Sequence, residues 1–331
     1  MSKAQRALGR DRVADMEKEA KDLMKKAKNL TGPSLLEFRF KPDWEAAAPL
    51  LERAALLYKQ SGNLDKATEA YERAAQAQEK LKSPWHAAKH YEALAELSRT
   101  AEPPRMEDAA RFYKMAGDLF VECNKPATAG QCLHRGARAL EEPQPEEAVK
   151  LYFDALDIFE THQKYAESVD CFRSAAAFLI RQEMWDDAVS VQMRFGAVSD
   201  LSGAKYSQSK AYLGAVVTWL WAGDAEKAWA TYQDAMAVET FANTEEAFAA
   251  DALFEAYRTQ DTPRIMDLVK SKPFFKQLDH QVAKLALRLP SPASKMRRMA
   301  RKLEKLMAEP EEEGEGEGGY GEGEGGDEAL L

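Results

Sequence analysis

The chain has 331 residues, with 46 Lys and Arg against 55 Asp and Glu, for a net charge of −9. Ten of the acids and none of the bases lie in residues 309–331, so the remainder carries +1, which argues against general polyelectrolyte binding to nucleic acid. The longest apolar stretch, Leu213 to Ala222, is interrupted by Thr218 and falls short of the roughly 18 residues of a membrane span, and MSKAQRALGRDR at the N-terminus has no apolar signal core.

In chain order, residues 3 to 29 read as a charged amphipathic helix, with Leu8, Val13, Met16, Ala20, Leu23 and Ala27 loosely periodic. It is expected to cap whatever follows. Thr31-Gly32-Pro33 then breaks the helix, and the link Leu30 to Trp44 presents Leu35, Leu36, Phe38 and Phe40. Those four either tuck under the first hairpin or form an exposed apolar membrane contact beside Arg39 and Lys41.

The stretch from Leu64 to Leu81 shows the pattern of the next two hundred residues: Ala67 is followed four residues later by Tyr71, and Ala74 lies a turn beyond. Steps of about twenty give Ala47/Leu51, Ala87/Tyr91, Ala109/Tyr113, Thr128/Cys132, Ala148/Tyr152, Ser168/Phe172, Ala188/Gln192, Gln208/Tyr212 and Ala228/Tyr232. Small residues let neighbouring helices approach while the large one fills the space beside the next. Asp43, Asn63, Ser83 and Asp224 stand at expected N-caps, and Pro84, Pro126 and Pro145 near first helical positions. Twenty residues therefore predict one helix and its turn, and forty a hairpin that must stack on others to bury its apolar face.

Residues 209 to 238 become more apolar, with Tyr212, Val216, Val217, Trp219, Leu220, Trp221 and Trp229, and mark the start of a C-terminal bundle. Three shorter helices are expected between 244 and 290. KMRRMARKLEKLM follows as a basic amphipathic helix, either a ligand for an acidic partner or lipid surface or a solvated terminal helix. The tail EPEEEGEGEGGYGEGEGGDEALL lacks the apolar surface to fold and is expected to be disordered.

The predicted fold is all-α: a right-handed solenoid of antiparallel TPR-like helical hairpins ending in a helical bundle. Its parts are an N-terminal helix and apolar loop (1–43), hairpin repeats (44–208), a C-terminal bundle with the basic helix (209–308) and a disordered acidic tail (309–331). No phosphate loop, nucleophile elbow, His-Glu-x-x-His or Cys-x-x-Cys pair occurs, so no enzyme, metal site or cofactor is expected. Cys123, Cys132 and Cys171 are odd in number and suit reduced structural thiols.

Three stretches resemble the soluble N-ethylmaleimide-sensitive factor attachment proteins (SNAPs). FRFKPDWEAAAPLLERAALLYK (38–59) is similar to gamma-type members, with their aromatic-Lys-Pro-Asp-aromatic turn; LDKATEAYERAAQAQEKLKSPWHAAKHYE (64–92) follows the second and third repeat helices; ALFEAYRTQD (252–261) and QLDHQVAKLALRL (277–289) resemble the C-terminal bundle. The resemblance implies a non-enzymatic adaptor, cytoplasmic and peripherally associated with membranes of the vesicle system. It would bind assembled SNARE complexes, syntaxin-type and others, and recruit the hexameric AAA ATPase NSF that pulls them apart.

It further implies membrane contact by Leu35, Leu36, Phe38 and Phe40, and ATPase stimulation by the end that carries Asp327, Glu328, Leu330 and Leu331. Lysines that alpha-type members use against SNAREs fall at Gln131 and Asp170 here, and an acidic pair of their bundle falls near Arg258 and Thr259. Lys89, Lys114, Arg135 and Arg173 are the candidates for a basic stripe against an acidic SNARE bundle. A TPR-like peptide-binding scaffold of the chaperone-adaptor kind is the alternative, although no clear carboxylate clamp is present.

Overall fold

The computed structural model describes residues 3–32, 41–290 and 293–308. Among them are seventeen helices and no strand. The long helix α1 (Lys3–Thr31) is followed by α2 (Trp44–Ser61), α3 (Leu64–Lys80), α4 (Pro84–Thr100), α5 (Met106–Glu122), α6 (Pro126–Leu140) and α7 (Pro145–Thr161). Then come α8 (Tyr165–Arg181), α9 (Trp185–Leu201), α10 (Lys205–Ala222) and α11 (Ala225–Met236). Short connections make each helix antiparallel to the last, and each packs on its sequence neighbours. The result is a solenoid of TPR-like hairpins.

The small positions read from the sequence form the seams. Ala47, Ala67, Ala87, Ala109, Ala148, Ser168, Ala188, Gln208 and Ala228 are fully buried. In α6 the register moves by one residue: Ala129 is buried where Thr128 was expected and Thr128 is half-buried. The adjacent Gly130 lies against the Phe159 ring, which would stand 2.7 Å from an added Cβ and so holds this face of the helix inward. Tyrosines four residues after the small positions do more than fill space. The Tyr91 hydroxyl donates to Glu79 at 2.8 Å and that of Tyr152 to Glu141 at 2.6 Å, so each buried ring carries its polar end to a carboxylate near the end of the preceding helix.

A forty-residue hairpin brings helices two places apart into reach, and the long-range ion pairs report that period. Arg135 meets Glu92 across 43 residues, Arg181 meets Glu141 across 40, and Arg194 meets Asp157 across 37. Left-handed residues end the helices at similar intervals: Gly62, Lys82, Asn124, Gln163, Glu183, Gly203 and Gly223.

The expected N-caps hold at Asp43, Asn63 and Asp224, which accept from the backbone N–H groups of Ala46, Lys66 and Lys227. Ser83 does not cap: its hydroxyl lies 2.7 Å from His86 Nδ1 instead. Pro84, Pro126 and Pro145 open α4, α6 and α7, as predicted.

Beyond α11 lie α12 (Glu239–Ala242), α13 (Glu245–Arg258) and α14 (Thr262–Ser271), the last capped by Asp261 through the Arg264 N–H at 3.0 Å. The third expected helix is two, α15 (Pro273–Lys276) and α16 (His280–Ala286). Helix α10 is buried almost all round because α9, α11, α13 and α16 each pack on it.

Helix α17 (Ala293–Met307), the basic segment, is docked on α11 and α13 with Met296, Met299, Ala300 and Leu303 buried. Its basic residues also work inward. Lys295 donates to Ala222 O at 3.3 Å and Arg298 to Gly223 O at 3.4 Å, placing two cations on the negative C-terminal end of α10.

No helix among the described residues is long and apolar enough to cross a membrane. Cys132 and Cys171 are buried free thiols; burial pushes Cys132 up to about 12 and raises Cys171 as well.

Candidate partner-binding face

Alternation of direction sorts the repeat helices into two layers. Direct packing of α6 on α8, and of α16 on α8 and α10, runs along the even-numbered layer.

Two of the basic candidates meet in that layer. Lys89 on α4 reaches Glu92 Oε2 at 2.7 Å, and Arg135 on α6 reaches Glu92 Oε1 at 3.0 Å. Each also lies over a ring from α5, Lys89 at 5.7 Å from the Phe120 centroid and Arg135 at 6.0 Å from that of Tyr113. Both side chains remain about half exposed, so the charge is oriented without being hidden.

Beside Arg135 opens a hollow of about 310 Å³ lined by Glu96, Arg99, Met106, Tyr113, Arg135, Arg138 and Ala139. Arg99 holds Glu96 at 2.8 Å, and the Tyr113 hydroxyl donates to the same carboxylate. Burial would raise Glu96, but the bonds from Tyr113 and Arg99 and the field of Arg135 outweigh it and hold the carboxyl below its ordinary value. Burial, then the bond to Glu96, raises Tyr113. Arg138 is exposed and has no ion-pair partner among the described residues.

Arg99 and Arg138 were missed by the sequence reading. Arg138 follows Arg135 at helical spacing on α6, a visible signal, whereas Arg99 joins them only because the end of α4 lies beside α6 across α5.

The other two candidates sit elsewhere. Arg173 on α8 pairs with Asp279, just before α16, at 3.3 Å, and lies over the Phe195 ring. Burial raises Asp279, opposed by Arg173 and Lys210. Arg173 therefore joins solenoid to bundle. Lys114 is exposed on α5, in the odd-numbered layer, within the field of Asp118 and Glu147. The structure does not bring it to Lys89 and Arg135.

Gln131 and Asp170 are exposed on α6 and α8, within the even-numbered layer, and Arg258 is paired with Glu255 at 2.7 Å. Leu35, Leu36, Phe38 and Phe40, and Asp327, Glu328, Leu330 and Leu331, lie outside the described residues.

Chemically, this face offers fixed cations and aromatic edges to an acidic surface. Its histidines are poor acids or ligands: His90 and His134 each bury an Nε2 without a hydrogen-bond partner, and burial lowers both, His134 to about 4.

Among solved structures, the tetratricopeptide-sensor STAND protein of Pyrococcus horikoshii is 14% identical, with a TM-score of 0.37, over 80% of this chain and 40% of its own. Aspartyl phosphate phosphatase F of Bacillus subtilis is 16% identical, also with a TM-score of 0.37, over 87% of this chain and 79% of its own. A gamma-soluble NSF attachment protein of Arabidopsis thaliana is 35% identical over 269 residues, covering 81% of this chain and 91% of the relative. The family model described as soluble NSF attachment protein, SNAP, matches residues 18–290. With that match spanning most of its length, the chain belongs to the soluble NSF attachment protein family.

Proposed function

We propose that the chain is an adaptor that binds assembled SNARE bundles along its even-numbered layer and recruits the hexameric ATPase NSF to take them apart. The observation that carries this reading beyond family membership is the oriented cluster of Lys89, Arg99, Arg135 and Arg138 on one face. A four-helix SNARE bundle with an acidic surface is the complementary partner, and the fixed charges set encounter rate and register. Arg173 acts from further along the same layer, and Lys114 contributes only if a second copy or a wrapped segment reaches the odd-numbered side. ATP hydrolysis belongs to the partner. Leu35, Leu36, Phe38 and Phe40 serve membrane contact in this reading, and the end bearing Asp327, Glu328, Leu330 and Leu331 stimulates the ATPase.

The test is disassembly of a detergent-solubilised SNARE bundle by NSF and ATP. Changing Lys89, Arg99, Arg135 and Arg138 together to Gln should weaken bundle binding at least tenfold at low salt. A chain ending at Ala308 should still bind the bundle and fail to stimulate hydrolysis. Failure of the intact chain to bind any SNARE bundle at low salt would overturn the reading.

A further inference from the structure

The turns of the solenoid fall on two opposite edges, and the edges differ in charge. Helices α3, α5, α7, α9 and α11 begin on one edge, and their first turns carry Asp65, Glu107 and Asp108, Glu146 and Glu147, Asp186 and Asp187, and Glu226. Acids there complement the positive end of each helix. Helices α2, α4, α6, α8 and α10 begin on the other edge, and of these only α2, with Glu45, and α8, with Glu167, have an acid in the first turn.

Instead, every turn on that second edge holds a lysine: Lys82 just before the α4 cap, Lys125 and Lys164 at the cap positions of α6 and α8, and Lys205 as the first residue of α10. Each of these turns also closes the C-terminal end of the preceding helix, so the favourable dipole of one helix and the unfavourable dipole of the next oppose one another at the lysines, and neither alone accounts for the row. None of the four has an ion-pair partner among the described residues. Lys82, Lys125 and Lys205 are exposed and Lys164 is half-buried.

Large apolar side chains stand in the open beside these lysines. Trp85 is 45% exposed, Val121 43%, Leu201 69% and Tyr206 57%. Between consecutive turns, Lys125 and Lys164 line one hollow of about 370 Å³ with Asn124, Thr128 and His162, a set of donors around a space that admits a phosphate group. The neighbouring hollow at Lys82 also holds Glu79, which accepts from the Tyr91 hydroxyl, and Glu122, and these two carboxylates offset part of the positive charge at that end of the row.

We propose that this edge is a docking surface for an anionic lipid bilayer, with Lys82, Lys125, Lys164 and Lys205 facing the headgroups and Trp85 and Tyr206 at the interface. The row advances by one hairpin per lysine. Point-charge lysines interleaved with aromatic and aliphatic tips suit a headgroup layer better than the bidentate arginine contacts of the even-numbered face. Helix α1 ends and α2 begins at the same edge, at Thr31 and Trp44. The proposal deepens the membrane part of the function above and rests on that reading only in placing the chain at a bilayer.

The full chain is sedimented with vesicles of phosphatidylcholine alone and with a third phosphatidylserine, at low and high salt. Each lysine near an anionic surface is worth about fivefold in partition. Changing Lys82, Lys125, Lys164 and Lys205 to Gln should therefore lower binding to the phosphatidylserine vesicles at least tenfold. Changing Arg73, Arg111, Lys150 and Lys227 to Gln, an equal loss of charge in the odd-numbered layer, should lower it less than threefold.

Equal loss in both variants, or unaltered binding by the edge variant, overturns the proposal. So does wild-type binding that ignores phosphatidylserine and salt, or an acidic soluble protein that needs the four lysines while vesicles do not. Binding of a detergent-solubilised SNARE bundle is measured in parallel. An edge variant that keeps bundle binding and loses vesicles supports the edge, and a wild type that binds vesicles but no bundle fails the adaptor reading alone.

Discussion

The guanidinium of Arg135 on α6 reaches the Glu92 carboxylate on α4 at 3.0 Å, joining helices 43 residues apart, while Lys89 holds the other oxygen of the same group. Glu92 thus orients two cations and also cancels part of their charge. Because Lys89 and Arg135 are about half exposed, Glu92→Gln should cost under about 1 kcal/mol of stability. Its effect on an acidic partner should be the opposite of a loss: association about two- to fivefold faster at low salt, read by stopped-flow or surface plasmon resonance, and no change at high salt. Slower association in the variant would mean that orientation by Glu92 outweighs the charge it removes.

Gly196 and Gly62 separate two reasons for a glycine. A Cβ at Gly196 would stand 2.1 Å from the Tyr212 ring, which is itself buried edge-on against Phe241 with ring centroids 5.3 Å apart. Gly196→Ala should cost about 3 kcal/mol in urea denaturation, because neither ring can give way. Gly62 has open space around it and a φ of +80°, so Gly62→Ala should cost only about 1 kcal/mol, all of it backbone strain.

Gln163 and Glu183 occupy left-handed turns, at φ 53° and 57°, that glycine adopts without strain. Gln163→Gly and Glu183→Gly should each stabilise the chain by about 0.5 to 1 kcal/mol and raise its thermal midpoint. A fall in the midpoint for both would mean that their side chains contribute packing that outweighs the relief.

His134 gives the fold a pH limit. Burial, helped by Arg138, lowers its pKa from 6.5 to about 4, so the unfolded chain takes up a proton that the folded chain refuses. Its contribution to stability is complete above pH 6.5 and is lost as pH falls toward 4. Near pH 5 the loss should be about 2 kcal/mol relative to pH 8. Urea midpoints of wild type and His134→Gln across this range check it: the loss between pH 8 and pH 5 should be smaller in the variant by that amount, and His90, which shifts in the same direction, contributes to what remains.

The architecture was legible because it repeats. A small residue with a bulky partner four positions on, returning every twenty residues, can be satisfied only by helices that stack through the same seam, and Ala67 with Tyr71 or Ala148 with Tyr152 lie buried in those seams. Caps such as Asp43 and Asp224 were legible for a similar reason, since the bond each makes is local. Ser83 was not, because its hydroxyl had a competing partner in His86.

Tertiary structure alone decided which charges act together. The twenty-residue period puts successive helices in alternate layers, so Lys89 and Arg135 share a face while Lys114, between them in sequence, stands on the other side. Arg99 joins Arg135 and Arg138 only through the packing of α4, α5 and α6, and Arg173 is committed to Asp279 by the position of α16. Periodicity specifies the face a residue occupies on its own helix; the rotation of that helix against its neighbours depends on the volumes packed between them, such as Phe159 against Gly130 and Tyr212 against Gly196.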